Sequence, residues 1–555
     1  MRRPVRPERR HREYKHGVPA AAHPTRSHPF PAAALWLAAL VAPTPAIAQQ
    51  PRRAAAPPAD AAANVVFLHW NDFHGQFRPQ RAAWKLRPGL PAEQAPLLGG
   101  AASLAGYVAR ERAAAQPLGR RVVVTDGGDW YQGTLEGNET KGALVVAFMN
   151  RLKPDAVVLG NHEYDFGPDN VRRLCALAGH PVLAANVVVD GARTRMPIDC
   201  VRPVARIPVH GVLLAVIGLV TSDTKAVSTG PWGEHAFEDE IAALNVVLPA
   251  VRKAGDEVVL LTHCGVEVDR MLAKAFPEVR LILGGHSHTG LPEPLREGET
   301  WIVQTHGKAS GVARVEARAE PAAAGAPARL RLLRGELVEL DLARHPEDPA
   351  TKRWIDEQTK DLAAKWDAPI GALAIPPYDD RGVRSTPAGN LVADAFRARA
   401  QADLGFTNKG GLRTRLVAGP LTRRMLYELL PFDNDLVSFT LTGAQVRAAL
   451  QAGLAKDRRP LEISGGSYRF AERDGGRELR DVTVGGAPLD DARVYRVATS
   501  SFLARGGDGI GVFARGKDVV DHDVLLRDVL IEQAEREGGL VASGEARIEQ
   551  VDARE

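Results

Sequence analysis

Cysteine is scarce in this chain, with three residues in 555: Cys175, Cys200 and Cys264. So few thiols exclude a disulfide-built scaffold and allow at most one internal bridge. Cys175 with Cys200 is the expected pair, and Cys264 reads as a small buried residue beside His263, not a catalytic thiol. Long hydrophobic runs are also missing. The apolar stretch AAALWLAALVA at 32–42 is eleven residues long, whereas a membrane-spanning helix needs about 20. No charge of one sign dominates, since 71 Lys and Arg face 67 Asp and Glu for a net charge of +4. Residues 1–48 hold eight of those basic residues against Glu8 and Glu13, a local charge of +6, so a chain beginning at Gln49 carries −2. Bulk attraction to a nucleic-acid polymer is thereby excluded. No repeat at solenoid or propeller spacing is present.

At 45% hydrophobic and 25% charged residues, the composition is that of an ordinary globular protein, and the length calls for two or more domains. A basic stretch to Arg26, the apolar run and the small-residue site Ala46-Ile47-Ala48 read as an export signal over 1–48. Cleavage near Ala48 would release a secreted chain, expected in the periplasm, with no stable membrane insertion. A Pro/Ala-rich linker follows at 49–63.

From residue 64, short β-branched runs alternate with helix-like stretches: NVVFLHW, RVVVTD, DAVVLG, PVLAANV, GVLLAVIGLV, DEVVLLTH, VRLILGG and TWIVQTH. Buried strands separated by helices predict an α/β sheet covered on both faces, with ligands gathered beyond the carboxyl ends of the strands. This unit is expected over 64–342. A charged stretch, ATKRWIDEQTKDLAAKW, predicts an interdomain helix within 343–367. A second unit with its own glycine turns and short strands occupies 368–552.

Polar motifs stand at five successive strand ends. Asp72-Phe73-His74 follows the first strand, and residues i and i+2 of an extended segment point the same way. Gly127-Gly128-Asp129 follows the second, where glycines let the backbone bend and bring a carboxylate close to an ion. Gly160-Asn161-His162-Glu163-Tyr164-Asp165, Thr262-His263 and Gly285-His286-Ser287-His288 complete the set. The third is the more specific, because an amide, an imidazole and a carboxylate occur together where a strand end carries only turn residues as a rule, whereas each histidine taken singly is more often a core or surface residue than a ligand. Together, Asp72, His74, Asp129, Asn161, His263, His286 and His288 supply oxygen and imidazole nitrogen without thiolate. That donor mix suits two divalent ions such as Zn²⁺ or Mn²⁺ and disfavours a closed cysteine site. A bridging carboxylate, for which Asp129 is the candidate, would hold the two ions about 3.5–4 Å apart.

The ordered set DFH, GGD, GNHE, TH and GHSH resembles the calcineurin-like metallophosphoesterases. The longer strings NDFHG, GNHEYDFG and GGHSH, with the C-terminal half, resemble the secreted 5'-nucleotidase family. The resemblance implies a four-layer α/β sandwich joined by a linker helix to a smaller α/β nucleotide-binding domain. It implies hydrolysis of nucleoside 5'-phosphates by a metal-activated water, with nucleotide sugars and di- or triphosphates as further candidate substrates, two divalent ions (Zn, Mn or Co) as cofactors and nucleotides as substrates. Asp72, His74, Asp129 and His288 would hold one ion, Asp129, Asn161, His263 and His286 the other, and His162 with Asp165 would form the catalytic dyad. His69 and His306 match no ligand position and are left as structural residues.

In the C-terminal half the resemblance implies a nucleoside pocket. Phe432 and Phe502 would stack on a base, Asp508 would bind ribose hydroxyls, and Asn408 and Gly410 would meet the base or its surroundings. Arg413 would bind ribose or phosphate, and Arg384, with Arg381 as competitor, would bind phosphate. Two residues depart from the family's pattern: Lys409 interrupts a glycine run and Asp433 follows Phe432 where glycine is frequent. If metals and pocket sit on different domains, a hinge near 350–370 is expected. The alternatives are a 2',3'-cyclic-nucleotide 2'-phosphodiesterase/3'-nucleotidase, whose members tend to carry Asn in place of Asp165 and Tyr in place of Phe432, a thiosulfohydrolase, which lacks the GNHE form, and a non-catalytic nucleotide-binding protein.

Overall fold

The computed structural model of the chain describes residues 63–552, apart from 83–84, 86–94, 190–193, 196–197, 229, 324–326, 379–381, 456–457 and 474. The expected export signal, nearly all of the linker, and Arg381 lie outside the described residues.

Every strand expected from the β-branched runs forms. One seven-stranded sheet has the order Arg329–Glu339, Gly311–Glu320, Val65–Trp70, Arg121–Asp126, Ala156–Val158, Val182–Leu183 and Val201–Arg202. A six-stranded sheet has the order Val204–Val209, Val212–Val220, Glu257–His263, Leu281–Leu283, Thr300–Val303 and Leu295–Glu297. The period-two alternation of strand side chains divides each strand between two cores. Val65 and Phe67 pack with Leu214, Val216, Val259 and Leu261 between the sheets. Val66, Leu68 and Trp70 face the other way, onto residues of the helices Ala101–Ala115, Ala143–Leu152 and Gly167–Leu177. Ala215, Ile217, Val258 and Leu260 pack likewise on the helices Glu240–Ala254 and Val266–Ala275. The result is the four-layer helix–sheet–sheet–helix sandwich. Cys175 and Cys200 are joined by a disulfide, as expected, and Cys264 is free and buried.

The helix expected over 350–366 runs from Pro349 to Trp366. Pro349 takes the first position, where no N–H is needed, and the Asp348 carboxylate accepts from the Thr351 N–H at 2.7 Å. Ile355 packs into the core of the first domain, whereas Trp366 packs against the core of the second and edge-on to Tyr427. The second domain is built on a five-stranded sheet ordered Glu462–Ser464, Leu404–Thr407, Val494–Ser500, Asp435–Thr442 and Lys517–Leu525. Among the described residues no helix is long and apolar enough to cross a membrane.

Candidate metal centre and nucleotide cavity

Parallel pairing of Val65–Trp70, Arg121–Asp126 and Ala156–Val158 in one sheet, and of Glu257–His263 with Leu281–Leu283 in the other, brings the loops at their carboxyl ends together. Two groups of three ligand atoms form there, Asp72 with His74 and His288, and Asp129 with His263 and His286. The atoms of each group lie within 4.8 Å of one another. The Asn161 Oδ1 lies 3.2 Å from His263 Nε2, beside the second group. Asp129 Oδ2 lies 3.2 Å from His263 Nε2 and 3.8 Å from His74 Nε2, so one carboxylate oxygen faces both groups.

The donor chemistry fits divalent cations. His74 Nδ1 sits 2.5 Å from the Gln132 carbonyl and His263 Nδ1 2.6 Å from the Gly127 carbonyl. Each Nδ1–H donates outward, which leaves the Nε2 lone pair aimed inward, as a metal-ligating imidazole requires. Buried Asp72 Oδ1 lacks a well-formed hydrogen bond and instead faces Nε2 of His288 at 3.1 Å, His74 at 3.8 Å and His263 at 4.0 Å. Burial works to lower the His263 pKa, yet Asp129 and Asp72 hold it up to about 10. The two carboxylates thus set a strongly negative field at the ligand atoms. Burial also pushes His286 down to about 4.

The ligand loops turn sharply. Asp72, His74, Asp129, His286 and His288 all adopt positive φ, between 50° and 79°, a conformation that costs a non-glycine residue free energy. A Cβ on Gly128 would meet the His263 ring nitrogen at 2.7 Å, so this position has to be glycine. Two residues inside the motifs hold the turns, and sequence reasoning assigned neither a role. The buried Glu163 carboxylate accepts from the N–H groups of Gly160 at 2.6 Å, Trp130 at 2.8 Å and Asp129 at 3.0 Å, binding two ligand loops together. Burial, then Asp129, raises its pKa to about 7. Asn71 Nδ2 donates to Asp72 Oδ2 at 2.6 Å, and the Asn71 Oδ1 accepts from the Thr305 N–H at 2.8 Å. Glu163 and Asn71 were readable only as members of GNHE and NDFH.

His162 Nδ1 lies 2.7 Å from Asp165 Oδ2. Burial opposes protonation of His162, but Asp165 and Asp129 outweigh it and raise the pKa. The His162 ring stands 5.7 Å from that of His74 and 5.7 Å from that of Phe432. His69 is structural, its ring nitrogens bonded to Thr125 Oγ1 at 3.0 Å and the Gly284 carbonyl at 2.9 Å. His306, by contrast, lies on the cavity wall.

A cavity of about 1120 Å³ is walled by Asp129, Asn161, His162, His286 and His288 from the first domain. The second domain contributes Asn408, Gly410, Arg413, Phe432, Phe502 and Asp508. Arg413 Nη2 lies 3.3 Å from His74 Nε2, and Asn408 Nδ2 donates to Asp508 Oδ2 at 2.7 Å. Arg384 is not brought to this wall. Its side chain is exposed and its carbonyl accepts from Lys409 Nζ at 2.7 Å. The two departures from the family's pattern have partners: buried Lys409 pairs with buried Glu462, and Asp433 Oδ1 accepts from Arg527 Nη2 at 2.6 Å. The domains meet around the cavity. Arg424 Nη1 donates to both Glu136 oxygens at 2.7 Å, Asn138 Nδ2 to the Pro431 carbonyl at 2.8 Å, and Lys308 Nζ to the Arg413 carbonyl at 2.6 Å.

Comparison with known proteins agrees with this geometry. The calcineurin-like phosphoesterase family model matches residues 65–290, and that of the 5'-nucleotidase C-terminal domain matches residues 369–515. The chain carries a calcineurin-like phosphoesterase domain followed by a 5'-nucleotidase C-terminal domain. It is 27% identical over 521 residues to human 5'-nucleotidase, covering 85% of this chain and 88% of that protein. It is 26% identical over 483 residues to the trifunctional nucleotide phosphoesterase protein YfkN of Bacillus subtilis, covering 77% of this chain and 33% of that longer protein. The solved structure of the 5'-nucleotidase precursor from Thermus thermophilus is similar with a TM-score of 0.77 and 28% identity, over 88% of this chain and 99% of that one.

Proposed function

We propose that the chain hydrolyses nucleoside 5'-phosphates to nucleoside and phosphate as a metal-dependent phosphoric monoester hydrolase. The observation that carries this reading is one cavity walled by two candidate metal groups at one side and by Phe432, Phe502 and Asp508 at another. The domains are taken as 64–342 and 368–552, with 343–367 between them. Asp72, His74, Asp129 and His288 would hold one divalent ion, and Asp129, Asn161, His263 and His286 the second. When bound, such ions lower the pKa of water and offset charge on the phosphoryl oxygens; Zn, Mn and Co all suit the donors.

The chain's own residues supply the rest. His162, kept protonated by Asp165, would donate to a phosphoryl oxygen as negative charge develops there. Arg413 would pair with the same group through its planar fork of donors. Phe432 and Phe502 would stack on the base, about 1–3 kcal/mol per stacked base. Asp508, fixed by Asn408, would accept from ribose hydroxyls. Arg384 would contribute to phosphate binding only if its loop moves. Asp165 and Phe432 favour this reading over a cyclic-nucleotide phosphodiesterase. The N-terminal sequence supports export.

The test is phosphate release from AMP, UMP, UDP-glucose and 2',3'-cyclic AMP with Mn²⁺, Zn²⁺ or Co²⁺. Release from none sinks the enzyme reading, and release from the cyclic substrate alone transfers it to the alternative. His162→Ala is expected to lower kcat about 10²–10⁴-fold with metal content unchanged.

A further inference from the structure

The strand Thr300–Val303 pairs in parallel with Leu281–Leu283. The segment that follows it, Gln304-Thr305-His306-Gly307-Lys308, therefore opens beside the ligand loops, although none of its residues belongs to either metal group. It is bonded to both loops of the first group. Buried Gln304 accepts through Oε1 from the Thr289 N–H at 2.6 Å and the Ser287 hydroxyl at 2.8 Å, and its Nε2 donates to the Gly285 carbonyl at 2.8 Å, which fixes the loop of His288. The Lys308 N–H donates to the Asp72 carbonyl at 2.6 Å. A Cβ on Gly307 would meet the Asp72 Cβ at 3.0 Å and the His288 Nδ1 at 3.1 Å, so the segment lies directly against both ligands.

Lys308 continues from there into the second domain. Gly307, Lys308 and Ala309 adopt φ of 76°, 52° and 50°, and two successive non-glycine residues in that conformation are costly. The turn holds the Lys308 N–H on Asp72 while the side chain crosses between the domains and Nζ donates to the Arg413 carbonyl at 2.6 Å. Arg413 is thereby gripped on two sides, since its N–H donates to the Leu429 carbonyl at 2.9 Å within its own domain. Its guanidinium then places Nη2 3.3 Å from His74 Nε2. One residue thus ties the backbone of a candidate ligand to the backbone of the arginine that faces the same metal group. The bond from an ammonium to a carbonyl is charge-assisted and stronger than a neutral one, and a misplacement of about 1 Å at a reacting centre costs up to about 10²-fold in rate.

We propose that Lys308 is a positioning residue that couples Arg413 to the Asp72 loop, so that the guanidinium stands at the substrate phosphate when the two domains are joined. The proposal rests on the nucleotide reading of the cavity. Lys308 also lines that cavity, but its ammonium is engaged with the Arg413 carbonyl, and its effect on the substrate passes through Arg413.

The test uses Lys308→Met, which removes the ammonium and keeps the backbone N–H that meets Asp72. In the Mn²⁺-supplemented protein kcat/KM for AMP is expected to fall about tenfold with metal content unchanged. Amide hydrogen exchange over 410–416 should accelerate. The double variant Lys308→Met/Arg413→Ala should be no less active than Arg413→Ala alone, because Lys308 acts through that side chain, whereas a direct substrate contact or a general loss of structure would add its own loss. Additive losses, a fall in metal content in Lys308→Met, or unchanged exchange over 410–416 overturns the proposal. A wild type that turns over no nucleotide sinks the reading beneath it, whatever the exchange shows; nucleotide turnover with unchanged exchange in Lys308→Met sinks this proposal alone.

Discussion

Replacing Lys409 by methionine isolates one buried charge. The Lys409 side chain is 3% exposed and that of its partner Glu462 is fully buried. In Lys409→Met the Glu462 carboxylate keeps the Thr386 N–H at 3.1 Å and the Thr386 hydroxyl at 2.8 Å but loses its only counter-charge among the described residues. Removing one partner of a buried ion pair costs about 3–5 kcal/mol, and the two remaining donors place this case near about 3. For a domain of this size that is a drop in Tm of roughly 6–12 °C. The effect depends on pH. Burial raises the Glu462 pKa despite the opposing pull of Lys409 and Thr386. A carboxyl raised in the folded state loses stability as pH rises from its unfolded value, about 4.3, through its folded one. Loss of Lys409 moves the folded value higher still, so the gap between wild type and variant is widest at pH 8 and narrows as Glu462 protonates. Denaturant unfolding of both proteins from pH 5 to pH 8 measures this. In Lys409→Met/Glu462→Gln no charge is stranded, and most of the loss should return. A gap under about 1 kcal/mol at pH 8, or one that does not change with pH, refutes the buried-pair reasoning.

Glu163→Gln retains shape but turns an amide towards three backbone donors. Metal affinity is expected to fall about 10–100-fold, read by metal content after dialysis against a buffered chelator. Arg424→Ala removes both close hydrogen bonds to Glu136 at the domain interface, where the two side chains are 7% and 3% exposed, and leaves it only the half-exposed Arg78 at 3.6 Å. Hydrogen exchange should accelerate in 135–139 and 423–429 while the metal content stays constant; unchanged protection of both segments contradicts an interdomain tie there. Cys175→Ala/Cys200→Ala opens a bridge spanning 25 residues of sequence, a loss of about 3 kcal/mol in denaturant unfolding.

The first domain was legible because two signals coincide along it. Strand runs such as VVFLHW alternate between two apolar faces, which identifies them as strands buried on both sides, and polar residues then break the pattern at the ends where parallel pairing gathers the loops. The second domain offered no such coincidence. Phe432, Asn408 and Asp508 come from separate loops, and residue resemblance alone pointed to them. Lys409 stood out as a misfit in a glycine run, but its partner Glu462 lies 53 residues away, and no periodicity links them. The Arg424–Glu136 tie spans 288 residues. For Arg384 local register decided, and the residue is exposed and off the cavity wall.

Backbone strain explains why the metal motifs contain more than ligands. Five of the seven proposed ligand positions sit at positive φ, at a cost of about 1–3 kcal/mol each. The turn has to follow the strand at once if the side chain is to reach the centre, and only a surrounding structure that over-determines the loop can keep it there. Glu163 and Asn71 provide that structure with side chains that touch no candidate ion position. Glu163 collects the N–H groups of Gly160, Trp130 and Asp129, while Asn71 grips Asp72 and ties it to Thr305. GNHE and NDFH are therefore each a ligand set joined to the support that keeps a strained loop in place, and a chain that kept the ligands but lost Glu163 would let the Asp129 and Asn161 loops relax away from each other.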